Sequence, residues 1–424
     1  MRKFFAKIHL WLSIPFGIII AIVCLTGSIL VFEKEILELR YPSHYFVKEV
    51  KGDPLAPETL ISLGRQQLPD SIKINGIRIT SDPKRTYQLV LPARKSVAFI
   101  NPYTGEVTGI DDGKGFFLKI MQLHRWLLDE YKRDGSFSLG KSIVGYSTLV
   151  LVIIIISGVV IWYPRNKRAL KSRLRIKTKS GWHRFFYDLH VSGGFYATLL
   201  LLALALTGLT WSFGWYRNAF YSVFGINTTE MQAHAPAPTP PAVTTQQTEP
   251  SRERGEGRRN EKEEGNEGRV ENNERRKGRE DRSEGGRRGR SERGQGNRDR
   301  SSSEKKTDYT QWAEVFATLQ SRYSDFNSIT IQDGSAIVST AKYGNTRGSD
   351  RYSFDPVTGR ITETQLYKDL PKSSKIRGWI YSVHVGSWGG ITTRILSCLA
   401  SFLGAVFVIT GYYLWIKKKI RKRK

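Results

Sequence analysis

Four apolar runs constrain this chain more than any other feature: Leu10–Phe32, Ile143–Tyr163, Gly193–Trp215 and Ile391–Ile416. At ~1.5 Å of rise per residue, about twenty helical residues cross a ~30 Å hydrocarbon core, so each run is predicted to be a membrane-spanning helix. The first run is longer than a signal-peptide core, lacks a small-x-small cleavage site and has three similar partners downstream. It is read as a span and not as a cleavable leader.

Charge orients the four spans. Arg2, Lys3 and Lys7 precede the first, Pro164–Phe186 holds nine Lys/Arg and no acid, and the tail "KKKIRKRK" adds seven more. With four crossings these segments share one side, which is the cytoplasmic one. The formal charge of +27 is therefore mostly topology, with lipid headgroups as the basic tail's neighbours, and no nucleic-acid partner is expected. The two cysteines, Cys24 and Cys398, lie within spans, where they staple no external domain and suggest no zinc or iron–sulfur site.

The chain is written twice. "INGIRI" (Ile74–Ile79) resembles "FNSITI" (Phe326–Ile331), "NPYTGEV" (Asn101–Val107) resembles "DPVTGRI" (Asp355–Ile361), and "SGVVIW" (Ser157–Trp162) resembles "TGYYLW" (Thr410–Trp415), at offsets of 252 to 254. The first and third spans match at an offset of 181: His9 stands seventeen residues before Thr26-Gly27, and His190 seventeen before Thr207-Gly208. The growing offset implies an insertion in the second half. Residues 234–306 are first Pro/Ala/Thr-rich and then almost purely Arg, Glu, Gly, Asn and Ser; with nothing apolar to bury, they are expected to be disordered.

The expected order is the N-terminus and first span (1–32), an external module and interfacial helix (33–142), the second span (143–163), a basic cytoplasmic loop (164–189), the third span (190–215) and an external connector (216–233). After the insertion come a second external module with an interfacial helix (307–390), the fourth span (391–416) and a cytoplasmic tail (417–424). Helical spacing in "PETLISLGRQQL" and "TQWAEVFATLQSRY", followed by alternating segments such as "INGIRIT", "TYQLVL", "SVAFI", "SITIQ" and "SAIVST", makes each module a small α+β domain. The P-x-T-G tetrads are turns between adjacent strands. The fold class is thus an α-helical membrane protein, a four-helix bundle of two parallel repeats.

Four of the seven histidines pair by depth. His9 and His190 open spans that start on the cytoplasmic side, while His124 and His384 precede spans that start outside. Neutral imidazole is a common metal ligand, although a lone histidine at an interface is more often just an interfacial residue. His183 lies seven residues before His190 and on a continuous helix would face the same way about two turns lower. His44 and His234 stand in external loops and are expected to be solvent-exposed.

Taken together, "IHLWLS", "DLHVSGG", both [ND]-P-x-T-G turns, "LHRWLL", "VHVGSWGG" and the [ST]-G-x-x-[IL]-W endings resemble the PepSY-associated transmembrane family. The resemblance covers nearly the whole chain except the insertion. It implies an iron-uptake-associated inner-membrane protein with periplasmic PepSY-like domains, and points to a di-haem reductase of ferric siderophores. On that reading two b-type haems are cofactors: His9 and His190 are axial ligands of the inner one, His124 and His384 of the outer. His183 is an alternative inner ligand, a propionate partner or an interfacial residue. Arg125, Arg184 and Arg394 are candidate propionate partners or simple topology anchors; Gly193, Gly194, Gly386, Gly389 and Gly390 either admit the macrocycle or serve ordinary helix packing. No Rossmann fingerprint appears, so the cytoplasmic electron donor is a separate partner. The rival functions are a membrane-anchored, non-redox PepSY protein that binds peptide, protease or siderophore, and a transporter. Against the latter, the spans lack paired Gly/Pro interruptions.

Overall fold

The computed structural model describes residues 1–93, 95–129, 137–164, 166–226, 308–340 and 345–423. The insertion expected at 234–306 lies outside them, as does His234. Among the described residues four helices are long and apolar enough to cross a membrane: Arg2–Val31, Leu139–Trp162, Trp182–Ser212 and Ser387–Arg421.

The helices begin where local chemistry starts them. Ser138 caps the second, its hydroxyl accepting the Lys141 N–H at 3.2 Å, which satisfies one of the amides left free at a helix start. The third begins just after Gly181, held at φ 81°, eleven residues before the apolar run does. The residues between Gly181 and that run, rich in aromatics with Arg184, Asp188 and two histidines among them, include no Pro or Gly to break a helix. Within it, Leu189–Gly193 form a π turn. The first helix packs on the second and fourth, and the third packs on the same two. First and third therefore stand opposite each other across a four-helix bundle.

The strands form one sheet. In the order β4-β3-β2-β1-β5-β6-β7-β8, β1 (Gly76–Thr80), β2 (Tyr87–Val90), β3 (Val97–Ile100) and β4 (Val107–Asp111) continue through β5 (Ser328–Gln332), β6 (Ser335–Ser339), β7 (Ser349–Phe354) and β8 (Ile361–Gln365). The two separate external modules expected from the repeat are thus two halves of a single eight-stranded antiparallel sheet.

The seam explains why. β1 and β5 are antiparallel with Ile77 opposite Ile331, Arg78 opposite Thr330 and Ile79 opposite Ile329. Arg78 and Thr330 are each other's counterparts in the duplication, so the pairing is self-complementary about that point, like an isologous dimer interface. Either half alone would leave an edge strand with unpaired N–H and C=O groups, and pairing β1 with β5 removes both edges. Leu60, Ile77, Leu89, Trp312, Ile329 and Val338 belong to one buried core. Above it, the Glu58 carboxylate accepts the Ala313 N–H at 2.5 Å, and the Tyr309 hydroxyl donates to the Ile74 carbonyl at 2.7 Å.

Both P-x-T-G segments are turns. The Gly105 N–H donates to the Asn101 carbonyl at 2.9 Å and the Gly359 N–H to the Asp355 carbonyl at 2.8 Å. Their φ values of 71° and 68° are why glycine stands there.

Candidate functional site

The bundle brings the four histidines together two by two. His9, in the first helix, and His190, in the π turn of the third, have ring centroids 6.3 Å apart with planes at 86°. His124 lies in the last turn of the short helix Phe116–Trp126, and His384 ends the helix Lys372–His384. Their centroids are 6.2 Å apart and their planes meet at 50°. Each pair takes one ring from each half of the chain.

All four rings are held by the same device. His9 Nδ1 lies 3.1 Å from the Ile154 carbonyl and 3.0 Å from the Ser157 hydroxyl. His124 Nδ1 lies 3.0 Å from the Val23 carbonyl and 3.1 Å from the Thr26 hydroxyl. His384 Nδ1 lies 3.1 Å from the Leu204 carbonyl and 3.2 Å from the Thr207 hydroxyl, and His190 Nδ1 lies 3.0 Å from the Thr410 hydroxyl. The next residue in every case is glycine. A Cβ on Gly158, Gly27, Gly411 or Gly208 would sit 3.3, 3.1, 3.3 or 3.0 Å from the Cε1 of His9, His124, His190 or His384, respectively.

This geometry decides the tautomer. A carbonyl oxygen only accepts, so Nδ1 of His9, His124 and His384 must carry the proton. The hydroxyl protons are already used: Ser157 donates to Ile154 O at 2.8 Å, Thr26 to Ile22 O at 2.7 Å, Thr207 to Ala203 O at 2.6 Å and Thr410 to Phe407 O at 3.1 Å. Each hydroxyl therefore offers its Nδ1 only a lone pair, which extends the assignment to His190. With the proton on Nδ1, Nε2 is the free donor atom in all four rings. Burial pushes His124 and His384, which precede the second and fourth spans, down to about 4. Both are neutral imidazoles at physiological pH, the form that binds metal.

The donor set fits a metal that brings most of its own ligands. Among the described residues no three His, Cys, Asp or Glu side chains cluster; each pair offers two imidazoles and nothing more. A metal–nitrogen bond of ~2.0 Å on each side, plus ~1 Å from nitrogen to ring centre, separates two imidazoles on one ion by about 6 Å. The measured 6.3 and 6.2 Å agree with that value. Seventeen residues separate His9 from Thr26, so one helix carries a ring of the inner pair and the seat of an outer ring ~26 Å further along.

Residues 6–418 match the family described as PepSY-associated TM region. The chain belongs to the PepSY-associated transmembrane family. No curated protein matches it. In this PepSY-associated chain the match runs through all four apolar helices and every strand of the sheet.

The remaining sequence candidates fall elsewhere. His183 is exposed, its ring centroid 6.3 Å from that of Tyr413, and the ring that faces His9 is His190. Arg184 bonds Asp188 at 2.9 Å. Arg394 grips both carboxylate oxygens of Glu35 and the Val31 carbonyl, and Arg125 lies over the Trp126 ring, 4.5 Å from its centroid. Two of the three guanidinium groups proposed for propionates thus hold protein carboxylates. Gly386 and Gly390, at φ 74° and 72°, form the turn into the fourth helix, and a Cβ on Gly389 would meet Thr393 at 2.6 Å. A Cβ on Gly193 would meet Phe407 at 3.3 Å, which is close helix packing, while Gly194 has open space. His44, expected in solvent, is half-buried and stacks on Tyr41 with centroids 5.2 Å apart; the duplicated pattern contained no partner strand to foretell this.

The seats themselves were missed by sequence reasoning. Their signal was present in four [ST]-G dipeptides at repeat-related positions, but Ser157-Gly158 and Thr410-Gly411 read as span endings and Thr26-Gly27 and Thr207-Gly208 as marks of the duplication, with nothing to link any of them to the ring it seats.

Proposed function

We propose that this protein is a di-haem electron carrier of the bacterial inner membrane that passes electrons from a cytoplasmic donor to an extracytoplasmic acceptor. The carrying observation is the assembly of two cross-half histidine pairs, each ring fixed through Nδ1 with Nε2 free. His9 and His190 would hold the inner haem through their free Nε2 atoms, and His124 and His384 the outer. The haems, when bound, supply one-electron carriers. The chain's own contribution is ligation, spacing along the first and third helices, and exclusion of water between the two levels.

In this reading both termini and the 164–189 loop are cytoplasmic, as their Lys/Arg excess favours, and the sheet is periplasmic. The chain is then two parallel repeats, each a span, half of the sheet and a second span. Ferric siderophore iron is the proposed acceptor: one electron converts Fe³⁺ to Fe²⁺, which hard oxygen ligands bind less tightly, so reduction releases the metal.

The test is a reduced-minus-oxidised spectrum of the purified protein with haem quantified per chain. Two haems are expected. His9→Ala and His190→Ala should remove the same one, and His124→Ala and His384→Ala the other. Absence of Soret absorbance after expression with ample haem would sink the reading and leave a membrane-anchored binding protein. Loss of the inner haem in His183→Ala but not His190→Ala would overturn the inner assignment.

A further inference from the structure

We propose that Ser157, Thr26, Thr410 and Thr207 are positioning residues that set the ring planes and donor strength of His9, His124, His190 and His384, and that they make the two sites electronically unequal. The proposal rests on the di-haem reading for what the rings ligate, but its geometry stands independently. Four hydroxyls, one per apolar helix, each lie 3.0 to 3.2 Å from a histidine Nδ1. In each seat the hydroxyl's proton is spent on a carbonyl of its own helix, so the hydroxyl can only accept.

Each seat acts within its own half of the chain. His9 rests on the second helix and His124 on the first; His190 rests on the fourth and His384 on the third. The cross-half angle between two rings is therefore the sum of two independent settings. A hydrogen bond at Nδ1 and a glycine wall at Cε1 leave a ring little freedom to rotate. A Cβ added to Gly27 or Gly208 of the outer seats would stand 3.1 or 3.0 Å from Cε1, and one added to Gly158 or Gly411 of the inner seats 3.3 Å. The outcome is 86° at the inner pair and 50° at the outer. Nearly perpendicular imidazole planes give a low-spin ferric centre a more anisotropic EPR spectrum than less crossed planes do. The inner site is thus the source of the more extreme signal. Accepting from Nδ1–H also makes the imidazole a stronger donor toward metal, so losing an acceptor weakens the ligand and favours the reduced state.

The experiment uses the full-length protein with its native haem complement. Thr410→Val and Ser157→Ala should keep two haems per chain, shift the midpoint potential of one site upward and alter only the more anisotropic EPR signal. Thr207→Val and Thr26→Val should do the same to the other signal. Thr410→Ser and Thr207→Ser, which restore a hydroxyl, should return both readouts to the native values. Unchanged potentials and spectra in all four hydroxyl-free variants would overturn the positioning role. Assignment of the more anisotropic signal to the outer site, by its loss in His384→Ala, would overturn the claimed inequality. If the native protein carries no haem, the functional reading fails first. ¹⁵N NMR of the histidine rings then decides the seats alone: Nδ1–H tautomers support them, and predominant Nε2–H tautomers refute them.

Discussion

The inner and outer histidine pairs are alike in seat and separation but differ in how their rings reach the bundle. Inner rings belong to the apolar helices themselves, so forming those helices nearly suffices to place them. Outer rings stand in the last turns of short helices, Phe116–Trp126 and Lys372–His384, that must dock by tertiary contact. The second of these is tied to the sheet: from the β6–β7 loop the Asn345 amide donates to the Lys375 carbonyl at 3.3 Å, and the Thr346 N–H donates to the Ser382 hydroxyl at 2.9 Å. The inner pair is thus a property of the bundle, and the outer pair one of bundle plus sheet.

The largest expected effect tests whether the pairs are independent. On the proposed di-haem reading, any single His→Ala among the four should remove one of two haems completely and leave the other's spectrum intact; loss of both from one substitution would break the distinction. Next comes the sheet. Ile331, fully buried at the seam, becomes Ala at a cost of about 2–5 kcal/mol, and thermal unfolding followed by haem absorbance should show the outer site released before the inner.

A smaller effect is expected from Gly208→Ala and Gly411→Ala. The added methyl stands 3.0 Å from His384 Cε1 in the first and 3.3 Å from His190 Cε1 in the second, so the outer substitution should perturb its site more, read as a broadened or shifted EPR line. Asn345→Ala should cost about 1–2 kcal/mol and loosen only the outer site, visible as faster haem loss to apomyoglobin.

The smallest effect concerns Glu35, whose carboxyl the Arg394 guanidinium holds below the usual carboxylate range. A depressed folded value stabilises above the unfolded value and is lost as pH falls through the folded one. Glu35→Gln should therefore lower stability by no more than ~1 kcal/mol at neutral pH, with the difference from native vanishing in acid.

The four apolar helices are legible in the residues alone, because their length and apolarity are local and a bilayer leaves few alternatives. So is the depth pairing of His9 with His190 and His124 with His384, since charge asymmetry and an odd or even span number suffice for that. Strands at "INGIRIT" and "SITIQ" were legible from alternation. That β1 and β5 would join was not, because any edge strand can pair with any other and the choice depends on which two meet in space. Tertiary structure alone decided that Arg394 would hold Glu35, from the far end of the chain, whereas Arg184 met Asp188 one turn along its own helix. It also decided which histidine would rest on which [ST]-G dipeptide. A helix displays its hydroxyls and glycines all round, and only packing determines which of them lies beneath a ring.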